Sequence, residues 1–215
     1  MTTWVLATRS SGKLAELRPL LAAGGIKAVS LDDIGISASP AEDGIECFES
    51  YEANALAKAQ HFAERSGLPC LADDSGLCIE ALGGAPGVRS RRFAADCGWL
   101  ASSAQSEDTA NNAAMLDACR KSGIAPPWPA QFVCAAAYAD LRRTFVAVGR
   151  TDGAILPDRD GAGGFGYDPY FMSTALRATF ARASREEKAT VSHRGRAFAA
   201  LLALLADSGC TAHDG

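Results

Sequence analysis

The sequence has no excess of positive charge, no long apolar run and no ordered spacing of cysteines. Lysine and arginine together number 21 against 25 aspartates and glutamates, a net charge of −4. The basic footprint that neutralises duplex nucleic acid is therefore missing. No stretch approaches the ~18 consecutive apolar residues of a membrane span, and residues 197–206, the longest candidate, have only the length of a core helix. Met1-Thr2-Thr3-Trp4 shows no basic region leading into an apolar one, so no secretory signal is expected. The seven cysteines are odd in number and irregularly spaced, with no Cys-x-x-Cys pair and no Cys/His cluster. A disulfide framework and a structural zinc site are both unexpected, and reduced thiols in the cytoplasm fit best. Histidines 61, 193 and 213 are too scattered for a histidine metal site.

What is present is an ordinary globular balance. Apolar residues make up 48% and charged residues 21% of 215 positions, enough chain for a sizeable core. Trp4-Val5-Leu6-Ala7-Thr8 reads as a buried strand, followed by the turn cluster Arg9-Ser10-Ser11-Gly12. Leu14, Leu17, Leu20 and Leu21 recur at helical spacing, so Lys13 opens a helix that Gly24-Gly25 closes. A second helix is expected over residues 50–65. Cys70-Leu71-Ala72 reads as a brief strand entering an Asp73-Asp74-Ser75-Gly76 turn, with extended structure resuming at Leu77. Residues 101–121 look helical, and Pro126, Pro127 and Pro129 break the chain. Phe132–Tyr138 and Thr144–Val148 suggest a hairpin across residues 139–143. Residues 157–169 form a long Gly/Asp/Pro-rich loop, Ser184-Arg185-Glu186-Glu187 suggests a capping box, and a last helix follows Ser192. This order predicts an α/β fold with a mixed central sheet. Residues 1–207 are expected to form one domain and 208–215 a flexible tail.

Several motifs carry chemistry. Ser10-Ser11-Gly12-Lys13 is not a Walker A loop, because Ala7 and Leu14 stand where Gly and Ser or Thr are required. A strand, a small-residue turn and a helix start bearing lysine nevertheless present N–H groups and a positive dipole end to an anion. Residues 161–166 match G-x-G-x-x-G in form, but Asp168-Pro169 follows at once and prevents the helix a dinucleotide site needs. What survives is a glycine loop carrying Phe165 and Tyr167, able to bring backbone and an aromatic ring to a planar base. Asp73 and Asp74 are adjacent, and two carboxylates in a dry core cost too much. At least one should face a cleft or a cation, and hard oxygen ligands suit Mg²⁺. Glu42 and Asp43 offer a second acidic source. Lys188, His193 and Arg194 cluster around a helix boundary, and of these Lys188 and Arg194 suit phosphate.

Taken together, Leu71-Ala72-Asp73-Asp74-Ser75-Gly76-Leu77, Gly83-Gly84-Ala85-Pro86-Gly87, Gly163-Gly164-Phe165-Gly166-Tyr167-Asp168-Pro169, Glu187-Lys188 and Ser192-His193-Arg194-Gly195 resemble the inosine/xanthosine triphosphate pyrophosphatases. The resemblance spans Val5 to about Leu205. It implies a mixed α/β fold with helices about a central sheet, two lobes around an active-site cleft, and a homodimer. It implies Mg²⁺-dependent hydrolysis of ITP, dITP or XTP to the monophosphate and pyrophosphate, with no nucleic-acid or membrane partner. By motif, Asp74 corresponds to the general base and a metal ligand, and Glu42 to the other metal ligand. Thr8, Arg9, Ser10, Ser11, Gly12 and Lys13 correspond to the triphosphate turn, and Ser75 to a substrate contact. Phe165, Gly166, Tyr167 and Asp168 correspond to the base-recognition loop, and Lys188, His193 and Arg194 to further substrate contacts. Three departures stand out: Ser10 where the family has asparagine, Ala53 where it has the second glutamate of an aromatic-Glu-Glu-Asn-Ala helix, and Arg89 and Arg91 after the Gly-Gly-Ala-Pro-Gly loop.

Overall fold

The computed structural model describes residues 3–99 and 106–209. Seven strands form one mixed sheet in the order β2-β1-β3-β4-β5-β6-β7. They are β1 (Thr3–Leu6), β2 (Lys27–Ser30), β3 (Cys70–Ile79), β4 (Trp128–Ala139), β5 (Thr144–Ile155), β6 (Phe171–Ser173) and β7 (Ala178–Thr179). β1 runs parallel to both β2 and β3, whereas β5, β6 and β7 pair antiparallel. The helices are α1 (Ser11–Ala23), α2 (Tyr51–Ser66), the single turn α3 (Phe93–Asp96), α4 (Glu107–Lys121), α5 (Arg185–Val191) and α6 (His193–Asp207). The described residues divide into two compact units. One comprises those of 1–74, 134–149 and 193–215, the other 75–133 and 150–192.

In the first unit the period of two along each strand sorts side chains into two cores. Trp4, Leu6, Leu71, Cys134, Ala136 and Tyr138 meet α1 through Leu17 and Leu21, and α6 through Phe198, Leu201 and Leu205. Val5, Ala7, Cys70, Ala72, Ala135, Ala137 and Ala139 meet α2 through Ala55, Ala59 and Phe62. Gly149 explains how closely α6 seats on β5. A Cβ there would lie 2.2 Å from the carbonyl oxygen of His193 and 2.4 Å from the amide nitrogen of Ala197. In the second unit, Leu77, Ile79, Phe93, Met115, Trp128, Ile155, Phe171 and Phe180 form the core with α3 and α4. Phe132 packs 4.6 Å from Phe171, ring centre to ring centre.

The helix ends follow their caps. Ser10 and Ser50 each accept a hydrogen bond from the third residue of their helices, and Gly67 ends α2 in the left-handed conformation. Ser184 and Glu187 form the reciprocal capping box expected from sequence. Other expectations need correction. Residues 73–76 are not a turn between two strands but the middle of β3. The strand at the N-terminus ends at Leu6 rather than Thr8, α1 starts at Ser11 rather than Lys13, and Pro129 lies inside β4. The helix expected over 101–121 is seen from Glu107, residues 101–105 lying outside the described set. Of the expected tail, residues 210–215 also lie outside it. β2, β6 and β7 have no counterpart in the sequence reading. Each is four residues or fewer, too short to carry a periodic signal.

Candidate active site

In the first unit, Asp73 and Asp74 sit side by side in β3 and therefore point to opposite faces of the sheet. Asp73 follows Leu71 toward α1 and α6. Its side chain has 0% exposure. Oδ2 receives Lys13 Nζ at 3.1 Å and Arg194 Nε at 3.0 Å. Lys13 Nζ also donates to the Asp73 carbonyl at 3.3 Å. Burial pushes the Asp73 carboxyl up, but Lys13 and Arg194 outweigh it and hold it well below the ordinary carboxylate range. Arg194 is itself buried and reaches Glu16 Oε2 through Nη1 at 2.5 Å. Asp73 Oδ1 is a buried acceptor without a hydrogen-bond partner.

Asp74 follows Ala72 toward α2. Oδ2 accepts from Asn54 Nδ2 at 2.9 Å. The same asparagine donates to the Phe48 carbonyl at 3.1 Å and accepts from the Phe48 amide at 2.9 Å, so one side chain ties the segment before α2 to the carboxylate. One turn further along α2, the half-buried Lys58 ion-pairs with Glu46. Burial is the largest influence on Asp74 and raises it. Lys13, the Asn54 hydrogen bond and Lys58 pull it back, Glu46 pushes it up again, and the carboxyl ends above its ordinary value. A carboxylate adjusted in this way is suited to accept a proton.

The turn after β1 is held by its own side chains. Ser10 Oγ caps α1 by accepting from the Lys13 amide at 3.3 Å, and Thr8 Oγ1 accepts from the Ser10 amide at 3.2 Å. Arg9 turns to Glu42, donating from Nε and Nη2 at 3.2 and 2.9 Å, and reaches Asp32 at 2.7 Å. Arg65 also approaches Glu42, at 3.5 Å. The hydrogen bond from Arg9 leads the influences that lower the Glu42 carboxyl. Glu42 is thus engaged by arginines, and the carboxylate whose charge Asp74 feels is Glu46.

In the second unit, the loop at 165–168 is closed on itself. Asp168 Oδ2 accepts from the Phe165 amide at 2.9 Å and from Lys188 Nζ at 2.5 Å. Lys188 lies 5.1 Å from the centres of the Phe165 and Phe180 rings. Phe165 is half-buried, while Tyr167 is buried and donates its hydroxyl to the Ser90 carbonyl at 2.8 Å. Ser75 is half-buried and lies in the β3 segment that enters this unit, and His193 is buried at the start of α6 in the first unit.

The sequence reading missed Asn54, Glu46 and Lys58 as site residues. Asn54 and Lys58 are four apart on α2, and the polar pair on an otherwise apolar helix face was the available signal. Among the described residues, no group of three or more His, Cys, Asp and Glu could hold a metal ion. Among these residues a full protein cage is therefore lacking. Magnesium is usually held by one or two carboxylates together with substrate phosphates and water, a mode that asks for no such group.

Comparison with known proteins covers most of the chain. The Ham1 family model matches residues 4–204. A dITP/XTP pyrophosphatase of Leptothrix cholodnii is 42% identical over 210 residues, covering 94% of this chain and 95% of the relative. A dITP/XTP pyrophosphatase of Yersinia pseudotuberculosis is 41% identical over 212 residues, covering 95% and 98%. A solved HAM1 protein from Coxiella burnetii superposes with a TM-score of 0.78 at 33% identity, covering 96% of this chain and all of that one.

Proposed function

The chain belongs to the Ham1 family, and from that premise we propose that it hydrolyses deaminated purine nucleoside triphosphates, dITP, ITP and XTP, to the monophosphate and pyrophosphate. The observation that carries this is Asp74, a buried carboxylate in mid-strand, fixed by Asn54 and raised by burial. Water attacks the α-phosphorus, and Asp74 accepts its proton directly or through a second water. Lys13 stabilises charge on the phosphates from the start of α1, where the positive end of the helix dipole meets the turn formed by Thr8 to Gly12. Arg194 is assigned a substrate contact by motif. Its hydrogen bonds to Asp73 and Glu16 support an added role, holding Asp73 and through it the Lys13 ammonium.

Mg²⁺ would be held by Asp74 and Glu42, neutralising phosphate charge and lowering the pKa of bound water. Glu42 would exchange part of its arginine contact for that role. Base recognition is assigned to Phe165–Asp168, with Phe165 stacking and the loop backbone hydrogen-bonding the base, and with Ser75, Lys188 and His193 as further contacts. A 6-oxo purine offers an acceptor where adenine offers a donor. A mismatch leaves a buried group unpaired at about 1–3 kcal/mol. The house-cleaning role implies a cytoplasmic enzyme, and the family resemblance a homodimer. The test is Asp74→Asn. Turnover of dITP should fall at least about a thousandfold, the upper part of the range for a general base, with the folded state intact by circular dichroism. Activity within a few-fold of wild type would reject the assignment.

A further inference from the structure

The base-recognition loop has an anchor outside itself. Gly166 adopts φ of 59°, the left-handed region that glycine enters without strain. Both of its backbone polar groups bond to α4. Its amide donates to Asp108 Oδ2 at 2.8 Å, and its carbonyl accepts from Asn112 Nδ2 at 2.9 Å. Asp108 and Asn112 are four residues apart, so they stand one above the other on one face of the helix. The two bonds leave the Gly166 peptide units little freedom to turn, although glycine itself would allow it.

The helix that carries this clamp is fixed in turn. Asn111 is buried, accepts from the Ala94 amide at 2.8 Å and donates to the Arg91 carbonyl at 2.8 Å. Ser90, next to Arg91, receives the Tyr167 hydroxyl. The loop is therefore tied at Gly166 to α4 and at Tyr167 to a segment that α4 also holds. Asn112 gives a second sign that the contact is specific. Its Oδ1 is buried without a hydrogen-bond partner, an arrangement that costs free energy. Turning the amide over would set that oxygen against the Gly166 carbonyl, so the loop determines its orientation.

We propose that Asp108 and Asn112 are specificity-determining positioning residues. Through Gly166 they hold the loop backbone, and with it the Phe165 ring, in the position that sorts a 6-oxo purine from a 6-amino purine. This rests on the assignment of residues 165–168 to base recognition. Rejection of the wrong base requires donors that cannot move to accommodate it. Without the clamp the loop can shift to accommodate adenine, and discrimination falls.

The experiment compares kcat/KM for dITP and ATP in the full-length wild type and in Asp108→Ala, Asp108→Asn, Asn112→Ala and Asn112→Leu, with the Tm of each. The dITP-to-ATP ratio should drop about tenfold in Asp108→Ala and in both Asn112 variants, the scale of one lost hydrogen bond of ~1.4 kcal/mol. Asp108→Asn keeps an acceptor for the Gly166 amide and should stay within about threefold of wild type. An unchanged ratio in folded Asp108→Ala and Asn112 variants overturns the proposal, as does an Asp108→Asn loss equal to that of alanine. Should Asp108→Ala not fold, Asn112→Leu decides, because it keeps the volume and removes the donor. A wild type that fails to prefer dITP would instead reject the base-recognition assignment, and the proposal with it.

Discussion

At the scale of single residues, the two adjacent aspartates do different work because a strand sends them to opposite faces. Asp73 is a charge anchor, neutralised by Lys13 and Arg194. Removing one partner of a buried pair leaves the other uncompensated, at about 3–5 kcal/mol. Asp73→Asn should therefore lower Tm by roughly 6–20 °C, at 2–4 °C per kcal/mol for a chain of this size. The sign of the pH dependence follows. The folded carboxyl lies below its unfolded value, so its stabilisation is complete above the unfolded range near pH 4 and is lost as pH falls through the folded value. Thermal unfolding should show the gap between wild type and Asp73→Asn at pH 7 narrowing below pH 4. A gap that stays constant would contradict the ion-pair account. Cysteines test burial separately. Burial pushes the Cys70 and Cys119 thiols up to about 11, while Cys47 and Cys97 are exposed. Brief treatment of the native protein with a maleimide at pH 7 should label Cys47 and Cys97 and spare Cys70 and Cys119, as read by peptide mass mapping.

At the scale of elements, the turn between β1 and α1 explains how Ser10 stands where the resembling family has asparagine. Its Oγ caps the helix, a position at which serine and asparagine serve about equally. Ser10→Asn should leave the urea midpoint nearly unchanged, whereas Ser10→Ala should cost about 1 kcal/mol. Equal losses in both would contradict a capping role. Much of this level was legible in sequence. The serine caps, the glycine stops and the Ser184–Glu187 box are local signals that depend on neighbours within one turn. The Asp-Asp-Ser-Gly segment was misread because its composition says turn, while the partners that let it remain a strand are far away. Arg194 is 121 residues from Asp73, and Asn54 is 20 from Asp74. The Asp108 and Asn112 contacts to Gly166 were hidden for the same reason, spanning more than fifty residues.

At the scale of the whole molecule, each unit contributes a distinct part of the proposed chemistry. The first holds Lys13, Asp73, Asp74 and Arg194, and the second the glycine-aromatic loop with Lys188. Fold class was legible as a mixed sheet because parallel-type strands alternate with helices early in the chain and a hairpin follows. Among the described residues, no helix is long and apolar enough to cross a membrane. The homodimer is a prediction at this scale, and light scattering after size exclusion should give a mass twice that of the chain. The most direct test of the proposed activity is pyrophosphate release from dITP, ITP, XTP, ATP, GTP and dTTP, with Mg²⁺ and with EDTA. The prediction is hydrolysis of dITP, ITP and XTP far above ATP and GTP, abolished by EDTA. Equal rates on ATP and GTP, or activity confined to dTTP, would contradict it.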